Sequence, residues 1–287
     1  MLAVLQKEFR TYFLTPLGYI FMGFFLLISG FFFALNNLFP ASSNLAALLG
    51  SLTSMFMFVV PILTMRLLSE ETRQKTDQLL LTSPLKVTEI VVGKYLAAVA
   101  VFLITILITG IYPAILRIHG FISISEVLGG YIGFFLLGSC FIAVGLFVSA
   151  LTDNQVSAAV ITFSSLLFMW IMDAVQQVLP NDTNSGVIFA CLILFALAFL
   201  VHHAVKNLYV TALTAFAGSL VIGSIYAINK SLYDGIIIKI FDWFSLLKRY
   251  DGFSSGLLNV SSIIYYLSFI TAFIFLTVQL IEKRRWN

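Results

Sequence analysis

The side chains best suited to chemistry do not form a catalytic or metal-binding set in this sequence. The chain has three histidines, at positions 119, 202 and 203, and two cysteines, Cys140 and Cys191. None is spaced as metal ligands are, and no carboxylate completes a set with them. The phosphate-binding pattern GxxxxGK[ST] is missing, so the chain cannot hold a nucleotide by that loop. These observations argue against an enzyme, and we expect both cysteines to be buried apolar side chains.

Charged side chains are concentrated instead in residues 66–94. Six of them lie within positions 66–77, namely Arg66, Glu70, Glu71, Arg73, Lys75 and Asp77. Each charge costs about 2.5–3.5 kcal/mol at the centre of a membrane, so the six together would cost about 15–20 kcal/mol. The segment must therefore lie in water or at a membrane surface.

The same segment has the pattern of a short, rigid helix. Ser69 is predicted to cap its first turn, where two glutamates favour the helix dipole. Opposite charges four residues apart are expected to pair, Glu71 with Lys75 and Arg73 with Asp77. Three leucines at 79–81 follow, a proline at 84 ends the helix, and a new helix begins at 88–89. A charged helix with an apolar tip indicates a docking surface for a soluble partner; a plain connector is the alternative.

The composition indicates what surrounds this segment. Of the 287 residues, 60% are hydrophobic and 10% are charged, and the mean hydropathy is +1.03. A soluble domain is about 45–50% apolar and about 25% charged, so this chain would expose too much apolar surface in water. Backbone groups in lipid are satisfied within helices. The sequence therefore predicts an all-α, polytopic transmembrane bundle forming one domain over residues 1–287, and the net charge of +3 suggests no nucleic-acid partner.

Eight apolar runs approach or exceed the 20 or so residues that cross a bilayer. They are residues 17–35, 45–65, 95–116, 127–151, 156–172, 186–201, 208–228 and 260–281. Without the sixth and seventh, six spans remain. Pro61 and Pro113 are expected to kink the second and third spans. Gly129 and Gly133 allow close helix packing, either within the chain or between two transmembrane subunits.

An even number of spans places both termini on one side of the membrane. If that side is the cytoplasm, 11 of the lysines and arginines lie inside and 5 outside, which the positive-inside rule favours. The sequence thus predicts a multi-pass protein of a bacterial-type plasma membrane with cytoplasmic termini. Residues 1–14 are predicted to form an amphipathic interfacial helix, and residues 230–259 short amphipathic helices on the outer face, which cap or gate the bundle.

The charged segment resembles a signature of ABC transporter permeases of the type 2 exporter class. The resemblance lies in residues 69–85, SEETRQKTDQLLLTSPL, and 90–97, IVVGKYLA. Residues 250–254 and 282–286, YDGFS and EKRRW, are similar to the gliding-motility-type permeases of that class. Lys75 stands where the family usually has glycine, and Gln78 where it usually has glutamate. Because lysine is a good helix former, we expect the helix to continue through Lys75.

The resemblance implies a permease that pairs with a second permease chain, identical or related, and with two cytoplasmic ABC ATPase subunits. ATP and Mg would bind in the ATPase, and no cofactor or metal is expected in this chain. The N-terminal helix would be a connecting helix, and residues 69–84 a coupling helix that enters a groove of the ATPase. The residues expected to couple are Glu70, Glu71, Arg73, Thr76, Leu79, Leu80 and Pro84.

The spans indicate what kind of substrate such a permease would move. They contain almost no ionisable side chain away from their ends, whereas ion-coupled transporters place such groups near the midplane. Export of an apolar or amphipathic substrate is therefore the first hypothesis. A secondary transporter or channel is the alternative, as is an ABC-type complex that transmits force or acts in envelope assembly without solute export.

Overall fold

The computed structural model describes residues 1–75, 85–119, 123–176 and 182–286. Over these ranges the regular structure is helical and includes no strand, so the all-α prediction is confirmed. A π-helical turn, Ala34–Leu38, extends the second helix, and a 3₁₀ turn, Lys230–Tyr233, precedes the twelfth. The helices are α1 (Leu2–Leu14), α2 (Pro16–Phe33), α3 (Leu45–Thr53), α4 (Phe56–Thr64), α5 (Ser69–Gln74), α6 (Val87–Thr109), α7 (Ile111–His119), α8 (Ile124–Leu151), α9 (Gln155–Gln176), α10 (Thr183–Val205), α11 (Leu208–Ile228), α12 (Ile236–Phe244), α13 (Leu247–Ser254) and α14 (Val260–Trp286).

Six of the eight expected spans are helices long and apolar enough to cross a bilayer. Within the described ranges these are Pro16–Leu38, Val87–Ile118, Ile124–Leu151, Gln155–Val175, Tyr209–Ile228 and Val260–Arg284. The expected second span is broken, since Leu45–Thr53 and Phe56–Gln74 meet at an angle of 56°. The expected sixth span lies in α10, whose apolar stretch Thr183–Phe199 is shorter than the others.

The helix of the third span is interrupted at Gly110, between α6 and α7 and three residues before Pro113. Proline has no N–H group, so Pro113 cannot donate to the carbonyl of Thr109, four residues earlier. That carbonyl accepts a hydrogen bond of 2.8 Å from the Tyr131 hydroxyl of α8 instead. The Thr109 carbonyl is therefore satisfied although it lies in an apolar bundle.

The chain divides into two compact units, one of Met1–Trp170 with Leu246–Asn287 and one of Ile171–Ser245. In the first unit α8 is the central helix and contacts α3, α4, α6, α13 and α14. Its glycines allow this close approach, because a methyl group at Gly129 would lie 2.9 Å from both the Gly256 Cα and the Phe253 carbonyl oxygen. A methyl group at Gly133 would overlap the Phe253 side chain. Gly129 and Gly133 thus pack within the chain, the first of the two alternatives.

Contacts in the first unit divide its loops between two ends of the bundle. At one end Tyr12 of α1 meets Leu63 of α4, and Arg284 of α14 lies 4.0 Å from Asp153 in the α8–α9 connection. At the other end Gly256 contacts Glu126 at the start of α8. The Leu68 N–H donates to Ser149 near the end of α8, which joins the first two of these contacts, so both termini lie at the same end of this unit.

The second unit is a hairpin of α10 and α11 closed by the Lys230–Tyr233 turn and α12. Thr183 donates a hydrogen bond to Asp234, and the Tyr233 hydroxyl donates to the Ile222 carbonyl at 2.9 Å. Residues 230–259 contain this turn, α12 and, in the first unit, α13. Cys191 of α10 is exposed, so the expectation that it is buried is wrong. Cys140 of α8 is buried as expected.

We predict that Gly129→Ala destabilises the protein by about 1–3 kcal/mol, because the backbone of α13 cannot move away from the added methyl group without repacking. The measurement is the midpoint of thermal unfolding in detergent. Gly23→Ala in α2 is the matched control, since nothing lies within 4 Å of its added methyl group. An unchanged midpoint for Gly129→Ala would contradict the close approach of α8 and α13.

Candidate functional site

Helix α5 is the part of the predicted coupling helix that the structure describes. Its N-cap residue is Leu68 rather than Ser69, so the predicted cap is wrong. The Leu68 and Ser69 backbone N–H groups both donate to the Ser149 Oγ of α8 at 3.1 Å, while the Ser69 hydroxyl donates to the Met65 carbonyl. A side chain 80 positions further along the chain therefore fixes the start of α5.

The C-terminal end of α5 also differs from the sequence prediction. The helix ends at Gln74, and Lys75 has a left-handed backbone with φ 55° and ψ 23°. The expectation that the helix continues through Lys75 is therefore wrong. This conformation costs a residue with a Cβ atom about 1–2 kcal/mol, whereas glycine adopts it freely. The glycine usual in resembling permeases would suit this backbone.

Four of the expected coupling residues fall outside the described residues. They are Thr76, Leu79, Leu80 and Pro84. Asp77, the expected partner of Arg73, lies outside them as well. The described expected residues are Glu70, Glu71 and Arg73, all on α5.

A buried ion cluster, which we call the Lys94 junction, joins three helices. It consists of Lys94 of α6, Glu8 of α1 and Glu71 of α5, with Lys7 at its edge. The Lys94 ammonium lies 2.9 Å from the Glu8 carboxylate and 2.8 Å from that of Glu71. Lys94 is 2% exposed and is the only charged residue that is buried in the part of the chain that the structure describes. The Lys7 side chain is 65% exposed and lies 3.8 and 3.9 Å from the same two carboxylates.

The Lys94 junction lies near the end of its span rather than at the membrane centre. The candidate span Val87–Ile118 has 32 residues and would extend about 48 Å at 1.5 Å per residue. A hydrocarbon core is about 30 Å thick, so the first turns of α6 can project beyond it. Removing one member of a buried ion pair typically costs about 3–5 kcal/mol, since the other charge is left buried and uncompensated. Without Lys94, two carboxylates would face each other.

The junction changes the role of two residues that were expected to touch a partner. The Glu71 carboxylate points inward to Lys94, and its side chain is only 15% exposed. Glu70 accepts hydrogen bonds from the Arg66 guanidinium at 2.6 Å and from Gln74 at 3.1 Å. The α5 residues that the structure leaves exposed are Arg73 and Gln74, followed by Lys75.

Helix α1 packs on the bundle through one face that includes a charge. Val4, Glu8 and Tyr12 lie four residues apart on that face. Val4 contacts Gly93 of α6, where an added methyl group would lie 3.0 Å from the Val4 Cβ. The Tyr12 hydroxyl donates to the Leu63 carbonyl at 2.8 Å, and burial raises the pKa of the Tyr12 phenol far above its usual range, so it remains a neutral donor. A helix, Leu2–Leu14, is thus present where the N-terminal helix was predicted, and it is anchored to α4 and α6.

The comparison with protein families identifies the chain. The model of the ABC-2 family transporter protein family matches residues 36–228, more than half of the chain. The chain belongs to this family. It is a multi-pass membrane permease of the ABC transporter type. No curated protein matches the sequence.

The family match covers two of the three residues that join helices in the Lys94 junction, but not the third. Glu71 and Lys94 lie within residues 36–228 of the permease, as does Ser149, whereas Glu8 precedes them. Sequence reasoning missed Glu8, Lys94 and Ser149 as site residues. One signal was available for Lys94: it is a charge in an otherwise apolar stretch, next to a glycine in the family-like segment 90–97. In the described part of the permease, no group of three or more histidine, cysteine, aspartate or glutamate side chains could hold a metal ion.

We expect Ser149→Ala to destabilise the start of α5 by about 0.5–2 kcal/mol, because two backbone N–H groups lose their acceptor. Hydrogen exchange of residues 66–75 should become correspondingly faster. Ser69→Ala is the comparison variant, since its hydroxyl accepts no capping bond from the α5 backbone. If Ser69→Ala accelerated exchange more than Ser149→Ala, the cap would be the local one that the sequence suggested.

Proposed function

We propose that this permease is driven by separate cytoplasmic ATPase subunits that bind residues 69–84, and that it exports an apolar or amphipathic substrate. The proposal rests on which side chains of α5 are exposed and which are attached to the bundle. Its outer residues, Arg73 and Gln74, are exposed, while its inner residues are fixed to the bundle. A helix held in this way can transmit a displacement by a bound protein to the bundle without being deformed itself.

Three contacts support the rigidity of α5. Ser149 caps its N-terminus, Glu71 pairs with Lys94, and Glu70 pairs with Arg66. Each contact fixes a different side of a helix that has only six residues. A connector between two spans needs no such support, so docking is favoured over the plain connection.

The coupling residues then have two kinds of role. Arg73, together with Thr76, Leu79, Leu80 and Pro84, would contact the ATPase. Glu70 and Glu71 would hold the contact surface in position from the permease side. This assignment explains why two acidic residues of a docking helix have basic partners within their own chain.

The chemistry of the transport path supports an apolar or amphipathic substrate. The charge buried in the described residues, Lys94, lies toward one end of its span and is paired. An open cavity of about 420 Å³ lies between α6, α7 and α8 and is lined almost wholly by apolar side chains, including Leu107, Leu128 and Phe135. An ion-coupled transporter would instead need ionisable groups at the midplane.

The wider assembly follows from family membership and charge distribution. ABC-2 permeases act with an ABC ATPase, which would bind ATP and Mg; the second permease chain, identical or related, would complete the path. The excess of basic residues on the α5 side supports a cytoplasmic position for α5 and both termini in a bacterial-type plasma membrane. The segments 250–254 and 282–286 favour the gliding-motility-type subfamily.

The test is affinity purification of the tagged permease in mild detergent, with ATP hydrolysis measured on the eluate. We expect an ATPase to co-purify. Leu79→Asp with Leu80→Asp should lower the recovered activity at least about tenfold, since two charges placed in an apolar contact cost more than about 1.4 kcal/mol. Arg73→Glu should weaken binding in the same direction.

The matched control is Asp153→Asn, which alters an exposed ion pair at the same end of the bundle and should leave the recovered ATPase activity unchanged. Thermal unfolding confirms that each variant is folded. Recovery of a lone permease without associated ATP hydrolysis would refute the proposed function and favour a secondary transporter or channel. Full activity in folded Leu79→Asp/Leu80→Asp would refute the docking role alone.

A further inference from the structure

We propose that Lys94 is a positioning residue that transmits movement of the coupling segment to helix α1. One ammonium group would make α1 follow α5 whenever the bound ATPase displaces α5. The inference rests on the proposed function, because it needs an ATPase that moves residues 69–84. It goes beyond that function by assigning the path of the movement to one side chain that touches neither nucleotide nor substrate.

The first step is the separation between α1 and the coupling segment. A crevice of about 40 Å³ lies between them and is lined by Glu8, Thr11 and Tyr12 on one side and Arg66 and Glu70 on the other. A volume of this size holds about one water molecule. Helix α1 packs instead along α2 and α6. The main packing of α1 is therefore on α2 and α6 rather than on α5.

The second step is the polar bridge beside that crevice. The Lys94 ammonium donates to Glu8 of α1 at 2.9 Å and pairs with Glu71 of α5 at 2.8 Å. Charge-assisted hydrogen bonds of this length are strong and directional, and burial protects them from screening by salt. Lys7 also approaches Glu71, but its ammonium is exposed and 3.9 Å away. Exposed pairs of that kind contribute little.

The third step is the difference between the two carboxylates. Losing Glu8 would free α1 from Lys94 but leave α5 attached, and losing Glu71 would free α5 but leave α1 attached. If Lys94 only stabilised the fold, losing either contact would lower stability and have no specific effect on the response of α1. If Lys94 transmits movement, α1 can respond to α5 only when the Lys94–Glu8 and Lys94–Glu71 contacts are both present.

The experiment measures hydrogen exchange of α1 in the purified permease–ATPase complex, with and without Mg and a non-hydrolysable ATP analogue. In the wild type we expect the analogue to change the exchange rates of the α1 amides. In Glu71→Gln, α1 should exchange as in the wild type before the analogue is added, and its response to the analogue should be lost. In Glu8→Gln, α1 should exchange about tenfold faster without the analogue, as expected when a local contact worth about 1.4 kcal/mol is removed.

The variant Lys94→Met removes both links, so exchange of α1 and of residues 66–75 should rise together. Because Lys94→Met leaves two carboxylates facing each other and can fail to fold, the two glutamine variants decide the question if it does. Asp153→Asn is the matched control, since the Asp153–Arg284 ion pair lies at the same end of the bundle and does not include Lys94. It should leave the response of α1 to the analogue intact.

The outcomes separate the two claims. If Glu71→Gln keeps a wild-type response of α1 to the analogue, the transmitting role of Lys94 is refuted while the ATPase coupling stands. The transmitting role is also refuted, and ATPase coupling stands, if the wild-type complex hydrolyses ATP but the analogue does not change the exchange rates of the α1 amides. If no ATPase is bound to the wild type, the proposed function fails and the inference fails with it.

Discussion

One buried ammonium group determines how the end of the permease that contains both termini is held together. The Lys94 ammonium is buried there between carboxylates from two other helices, Glu8 and Glu71, which each lie within 3 Å of it. An isolated buried charge costs several kcal/mol, so the three helices must meet for any of them to take its place. The positions of α1, of α5 and of the start of α6 are therefore linked to one another through Lys94.

Elsewhere in the first unit, the helices pack closely because glycines lack side chains, and ion pairs are not what holds them together. Glycines on α8 bring α13 within contact of its backbone, and Gly93 does the same for α1 on α6. Helices in lipid gain little from hydrophobic burial against one another, so close approach and dispersion contacts are what hold them. Large aromatic side chains such as Phe56 and Phe134, whose ring centres are 4.6 Å apart, fill the space between the more distant pairs.

The sequence predicted the features that depend on composition along the chain. Apolar runs gave the span positions, and Pro113 lies three residues after the interruption of the third span. The features it missed depend on residues far apart in sequence. The cap of α5 comes from Ser149, and the partner of Glu71 that fixes α5 to the bundle is Lys94 rather than a residue of its own helix. Glu8 was not predicted as a site residue, because no local pattern reveals a basic partner on α6. Helix propensity predicted that the helix continues through Lys75, whereas the backbone of Lys75 is left-handed and α5 ends before it.

The Lys94 junction also constrains the order in which the protein can be built. The ribosome releases Glu8 first, then Glu71, and Lys94 only 86 residues after Glu8. Until that point, two carboxylates that end up close together have no buried partner and will remain in water. Helix α1 therefore cannot dock when it emerges, although it is the first helix made. Its final attachment has to wait until the beginning of α6 has left the ribosome, so α1 reaches its place only after helices α2 to α5 have been made.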